Sequence, residues 1–122
     1  MDYNWIVTAE MSGPTFWILA ALTDQRRHGY EILQETAASS EGAMSLKATT
    51  LYAALERMAR HGLIRPDGEE IVNGRARRYF VITKEGAAAL ADEVAMLERQ
   101  VRVGRARLDR SGAVSPRTGF AV

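Results

Sequence analysis

Lys47, Thr49, Thr50, Tyr52 and Arg57 crowd into one stretch, LKATTLYAALERMARHGLI at residues 46–64, and Arg75, Arg77 and Arg78 come close behind it. Cations and hydroxyls in that mixture meet phosphate oxygens and base edges; they are not a general acid–base pair or a nucleophile with its base. In the same stretch Leu51, Leu55 and Met58 stand at i, i+4 and i+7. A helix through it therefore turns an apolar stripe to a core and leaves Lys47, Thr49, Thr50, Ala53, Arg57 and Arg60 away from that stripe. At the helix start, free backbone N–H groups beside Lys47, Thr49 and Thr50 add to the attraction for an anion. Tyr52, one residue past Leu51, either leans its ring on the domain and extends its hydroxyl toward a nucleic-acid backbone, or is a half-buried packing residue. The stretch has the makings of a helix that reads DNA.

Other chemistries find little support. His28 and His61 are far apart and without partners at ligand spacing, so no metal is expected and both read as turn residues. The chain has no cysteine, which excludes disulfides, thiolate metal sites and thiol nucleophiles. No Ser/His/Asp order, paired carboxylates or glycine-rich phosphate loop stands out, so neither an enzyme nor a cofactor is expected. Net charge is only +1, but it is unevenly spread. Residues 1–46 hold two arginines against six acids, residues 47–84 eight Lys and Arg against four acids, and residues 85–122 six arginines against five acids. The basic excess coincides with the proposed reading helix and the segment just after it. The N-terminus lacks the pattern of a signal peptide, and no segment approaches the roughly 20 apolar residues that span a bilayer. A cytoplasmic protein, not a membrane one, is the expectation.

The elements that must position these residues can be taken in order. Residues 1–13 are an N-terminal short helix or arm, with Asp2 or Asn4 as cap and Tyr3 and Trp5 as sticky aromatics. Pro14, after Ser12 and Gly13, opens a mostly apolar helix through Phe16, Trp17, Ile18, Leu19 and Leu22. Residues 24–28 are a polar break, Gly29 a turn, and residues 30–38 a second helix with Tyr30, Leu33 and Ala37 on one stripe; Ser39, Ser40 and Gly42 end it. Ser45 is the candidate cap of the third helix and Gly62 its stop. The pattern then changes to a hairpin: a turn at Pro66-Asp67-Gly68, a strand over 69–72, a type I′ signal at Asn73-Gly74 and a return strand over 75–82. A two-residue loop sets Val72 opposite Arg75, Ile71 opposite Ala76, Glu70 opposite Arg77 and Glu69 opposite Arg78. Arg77 and Arg78 can thus be cross-strand partners of those acids, whereas Arg75 has no acid opposite and is the best wing-tip DNA contact.

Thr83 caps a last helix over 84–110, about 40 Å long. Ala87, Leu90, Val94, Leu97, Val101, Gly104 and Leu108 recur along it at spacings of three and four, a heptad stripe longer than a small domain can cover, so a second chain is expected on Leu90, Val94, Leu97, Val101 and Leu108. Residues 111–122 lose all periodicity and read as a disordered tail. The fold class is mainly α (α+β): a winged helix-turn-helix domain over 14–83 with a long C-terminal dimerisation helix.

The chain resembles the PadR family of bacterial winged-helix transcriptional regulators, in its short form. The resemblance is carried by PTFWILAAL at 14–22, HGYEI at 28–32, TLYAAL at 50–55 with GLI at 62–64, and RRYFVITKEG at 77–86, in that order and at these intervals. One departure is local: Lys47-Ala48-Thr49 stands where the family usually has a serine, a proline and a glycine before its Thr-Leu-Tyr. The resemblance implies a homodimeric repressor with its third helix in the major groove, a hairpin wing, and release by a small hydrophobic effector at or near the dimer interface. Trp5, Phe16, Trp17, Met96 and Leu97 are the candidate effector pocket, and they serve equally well as core and interface. The expected partners are a pseudo-palindromic double-stranded DNA operator, a second copy of the chain and that effector. The alternative is a dimeric ligand-binding or protein-interaction module that uses the winged fold without reading DNA.

Overall fold

Four helices and a three-stranded antiparallel sheet are present in the computed structural model, which describes residues 11–112. In chain order they are α1 (Gly13–Ala21), β1 (Arg27–His28), α2 (Gly29–Ser39), α3 (Ala48–Arg60), β2 (Ile64–Val72), β3 (Arg75–Ile82) and α4 (Lys84–Ser111). Helices followed by a hairpin and a long last helix give the expected winged helix-turn-helix. Residues 1–10 and 113–122, which hold Trp5, most of the expected N-terminal arm and the expected tail, lie outside the described residues. The chain divides into two compact units, Met1–Ala91 and Asp92–Val122, and α4 runs from the first into the second.

Each helix of the first unit starts and stops for a local reason. Ser12 caps α1, its hydroxyl accepting the Thr15 N–H, and Pro14 lies in the first turn, where a missing N–H costs nothing. α3 stops in a Schellman motif: Leu63 N–H reaches the Met58 carbonyl and Gly62 N–H the Ala59 carbonyl, with Gly62 at φ 76°. Thr83 caps α4, its hydroxyl accepting the Gly86 N–H and donating to the Gly62 carbonyl. The end of α3 is thereby tied to the start of α4.

Ile18, Leu19 and Leu22 of α1 and its end, Ile32 of α2, Leu51, Leu55 and Met58 of α3, Ile64 of β2 and Phe80 of β3 are buried together in one core. At about 1.5–3 kcal/mol for each fully buried large side chain, the stripe of α3 is what holds that helix to the domain. Gly86, in the first turn of α4, closes the other side. A Cβ there would overlap the Leu63 carbonyl oxygen and come within 3.0 Å of Ile82 Cγ1, so the two backbones touch only because the side chain is missing.

Five expectations are corrected. Ser45 does not cap α3: the helix begins later, with Lys47 extended at φ −80°, ψ 154°, in the cap position and without a side-chain cap hydrogen bond. Tyr30 is not on the buried stripe of α2 but 63% exposed; Ile32 and Thr36 take that place, since the packed core receives the face that carries Ile32. Residues 66–68 are not a turn before the strand. β2 runs through them from Ile64, pairing Pro66 with Phe80, and a bulge between Pro66 and Glu69 absorbs the one extra residue. Residues 27–28 are not a plain break but strand β1, paired with Tyr79 and Phe80 of β3. Finally, His28 is not a turn residue: it ends β1, is buried, and caps α2 in a capping box, Nδ1 accepting the Glu31 N–H while the Glu31 carboxylate accepts the His28 N–H.

Candidate nucleic-acid interface

The amphipathic phase of α3 decides which of its side chains meet solvent. With Leu51, Ala54, Leu55 and Met58 buried, Thr49, Thr50, Tyr52, Ala53, Glu56, Arg57 and Arg60 are exposed, and Lys47 is exposed just before them. At about 100° per residue Thr49, Ala53, Glu56 and Arg60 form the middle of the outer face, with Thr50 and Arg57 along one edge and Tyr52 along the other. Lys47 offers no side-chain acceptor to the first N–H groups of α3, so no cap occupies these donors.

Tyr52 takes an intermediate course between its two readings. Its hydroxyl end lies against Gly29 at the start of α2, closer than a Cβ there would allow, so the hydroxyl turns to the domain rather than away from it, while the residue remains 53% exposed. A side chain at position 29 would push the Tyr52 ring aside, so Gly29 lets that ring rest on the domain.

The hairpin has the expected register. Val72 pairs with Arg75, Ile71 with Ala76, Glu70 with Arg77 and Glu69 with Arg78, and Asn73 and Gly74 both have positive φ, 52° and 77°, as a type I′ turn requires. Register does not make the pairs ionic, however. Among the described residues no ion pair joins Arg77 or Arg78 to the acids opposite. Glu70 instead accepts the Tyr79 hydroxyl at 2.7 Å, which raises the pKa of that phenol above its ordinary value, and the Arg78 guanidinium sits 5.4 Å from the centre of the Phe80 ring. Side chains alternate along a strand, so Arg78 and Phe80 share the face toward α3 while Arg75, Arg77 and Tyr79 share the other. The three wing arginines thus flank the hairpin on both sides.

Between α3 and the wing lies an open groove of about 600 Å³, lined by Tyr52, Leu55, Glu56, Ala59, Arg60, Pro66, Arg78 and Phe80. Arg60, which the sequence places away from the apolar stripe without a binding role, stands in this groove together with Arg78. Its spacing of eleven from Thr49 was the available signal, since eleven residues bring a helix back to nearly the same face.

The other sequence-predicted residues fall elsewhere. Phe16 and Trp17 of α1 are half-buried and meet edge to face with ring centres 5.3 Å apart. Leu90 is partly buried against the core of its own domain. Val94, Leu97, Val101 and Leu108 are 38–56% exposed along one stripe of α4, with Met96 half-buried beside it. No group of three or more His, Cys, Asp or Glu residues that could hold a metal occurs among the described residues, and no helix there is long and apolar enough to cross a membrane.

The model of the transcriptional regulator PadR-like family matches residues 18–92, from the last helical turns of α1 into α4. The chain belongs to the PadR-like family. Its members are transcriptional regulators, not enzymes. Transcriptional regulator Rv3488 of Mycobacterium tuberculosis is 34% identical over 85 residues, covering 70% of this chain and 76% of that protein. A transcriptional regulator from Clostridium thermocellum superposes with a TM-score of 0.64 at 27% identity over 76% of this chain and 89% of its own. PadR of Bacillus subtilis, solved in complex with operator DNA, shares the fold with a TM-score of 0.62 at 21% identity, over 70% of this chain and 48% of that one. The matched span of this PadR-like chain includes α2, α3 and both wing strands, the elements that carry every candidate DNA contact.

Proposed function

We propose that this PadR-like chain is a homodimeric, sequence-specific DNA-binding repressor released by a small hydrophobic effector. In this reading α3 enters the major groove with Lys47, Thr49, Thr50 and Arg57 facing phosphates and base edges, and Tyr52 borders them. Arg75, Arg77 and Arg78 bring the wing to the adjoining backbone. The observation that carries the reading is the exposed outer face of α3 beside a wing whose arginines, among the described residues, are not paired to the acids opposite. The Bacillus subtilis relative solved on operator DNA supports it at the level of the fold. Two copies joined through the exposed stripe of α4 would bind half-sites about 34 Å apart. Glu93 and Glu98 precede Arg105 and Arg107 along that helix, so an antiparallel or crossed pair sets acids near arginines, and a parallel pair sets like near like.

The test is retention on mixed-sequence duplex at low salt, followed by footprinting on fragments selected from the host genome. Paired, symmetric protection is expected. A chain that washes through the duplex column would instead be an interaction or ligand-binding module on a winged fold. Arg75→Ala is expected to weaken binding to all sequences and to lower the slope of log affinity against log salt by about 1, the signature of one lost phosphate contact. An unchanged slope would remove Arg75 from the phosphates. Effector release is tested by titrating apolar compounds against tryptophan emission in the presence of bound duplex, where coincident quenching and dissociation are expected.

A further inference from the structure

The wing of a winged helix is useful only if its angle to the body is fixed, and here the hairpin is interrupted where it leaves the body. The bulge between Pro66 and Glu69 takes Asp67 and Gly68 out of the ladder with β3, and Gly68 adopts φ 95°. A two-stranded ribbon released at that point can swing. One side chain from outside the hairpin occupies the interruption. Arg26, in the connection between α1 and β1, donates from Nη1 to the Asp67 carbonyl oxygen at 2.8 Å, approaches the Asp67 carboxylate at 3.8 Å, and lays its guanidinium 4.0 Å from the centre of the Tyr79 ring. A Cβ on Gly68 would lie 3.1 Å from that same nitrogen, so the bulge glycine gives the guanidinium room.

The partners of Arg26 are themselves held. Tyr79 hydrogen-bonds Glu70 across the hairpin and meets the buried His28 ring edge to face at 5.3 Å, and Arg65 lies 3.7 Å from the Asp67 carboxylate. Arg26 thus bridges both strands of the wing, through a backbone carbonyl on β2 and an aromatic face on β3. A planar guanidinium can stack and donate at once; an ammonium cannot do both in this geometry.

We propose that Arg26 is a positioning residue that latches the wing, setting the angle at which Arg75 and Arg77 meet DNA without touching the DNA itself. The inference rests on the DNA-binding reading, but part of its test does not. Arg26→Met keeps the stem and removes the fork, and Arg26→Lys keeps the charge. Amide hydrogen exchange across residues 66–80 is expected to accelerate in both variants while α3 stays protected; unchanged exchange in the wing overturns the latch whether or not the protein binds DNA. On mixed-sequence duplex, both variants should bind about five- to tenfold more weakly, the loss of a charge-assisted contact, with the salt slope unchanged.

In an Arg75→Ala background most of that loss should disappear, because the wing it positions no longer carries its tip contact. A slope lowered by about 1 in Arg26→Met, with Arg26→Lys binding like the wild type, would make Arg26 a phosphate contact and overturn the proposal. A lower melting temperature with unaltered DNA affinity would overturn it too, leaving Arg26 a stabilising residue only. If the wild-type chain itself fails to bind duplex, the DNA reading falls, and exchange alone decides the latch.

Discussion

Gly86→Ala is expected to destabilise the protein by about 3 kcal/mol or more, although the same change at an ordinary exposed helix position stabilises by about 1 kcal/mol. The sign is set by what the new methyl would meet. It would overlap the Leu63 carbonyl oxygen, which already accepts the Thr83 N–H at 3.0 Å and cannot retreat without breaking that bond. Relief requires moving α4 off the start of β2, where Leu63 and Ile64 are buried in the core. A fall in thermal midpoint on the order of 10 °C or more is the measurable result. Ala88→Gly, at an exposed position of the same helix, serves as the control for propensity alone. A Gly86→Ala melting point at or above the wild type would mean that α4 and β2 do not approach as described.

The second large effect is expected from glutamates placed together at Leu97 and Val101. Both side chains are exposed in the single chain, 39% and 56%, so the substitutions should leave its folding nearly unchanged. In a pair of chains they would bury like charges facing one another across the seam, which costs more than the apolar contact they replace. The variant should sediment as a monomer with the circular dichroism of a folded chain. Its affinity for a two-half-site fragment should fall by about a hundredfold or more, because linked binding of two reading helices is lost. A variant that remains dimeric would place the interface on another surface.

Both expectations depend on features of different legibility. The register of the hairpin from its loop back to Glu69 and Arg78 could be read to the residue, since Asn73-Gly74 demands a two-residue loop and such a loop leaves one register free. The buried stripe of α3, the Gly62 stop and the Thr83 cap were equally visible, each being a local signal with a local cause. Strand β1 was not, because two residues carry no periodicity and its pairing with β3 is decided by tertiary contact. His28 hid its role by being an uncommon capping residue, although Glu31 three positions on was the half of a capping box that could be seen. The path of β2 through Pro66, Asp67 and Gly68 runs against the usual reading of those residue types as a turn. A bulge reconciles them with a strand, and Arg26, distant in sequence, stabilises it. Of the candidate site, the wing arginines and the edges of α3 were legible from residue type.

The cap position of α3 sets two demands against one another. Serine or aspartate at position 47 would satisfy the bare N–H groups that Lys47 leaves, making the free protein more stable by about 1 kcal/mol. An aspartate would also place a negative charge where a phosphate is proposed to sit. On the proposed reading, lysine there suits the complex with DNA rather than the free chain. A serine or aspartate cap at that residue is therefore expected to stabilise the free chain while weakening its proposed contact with phosphate.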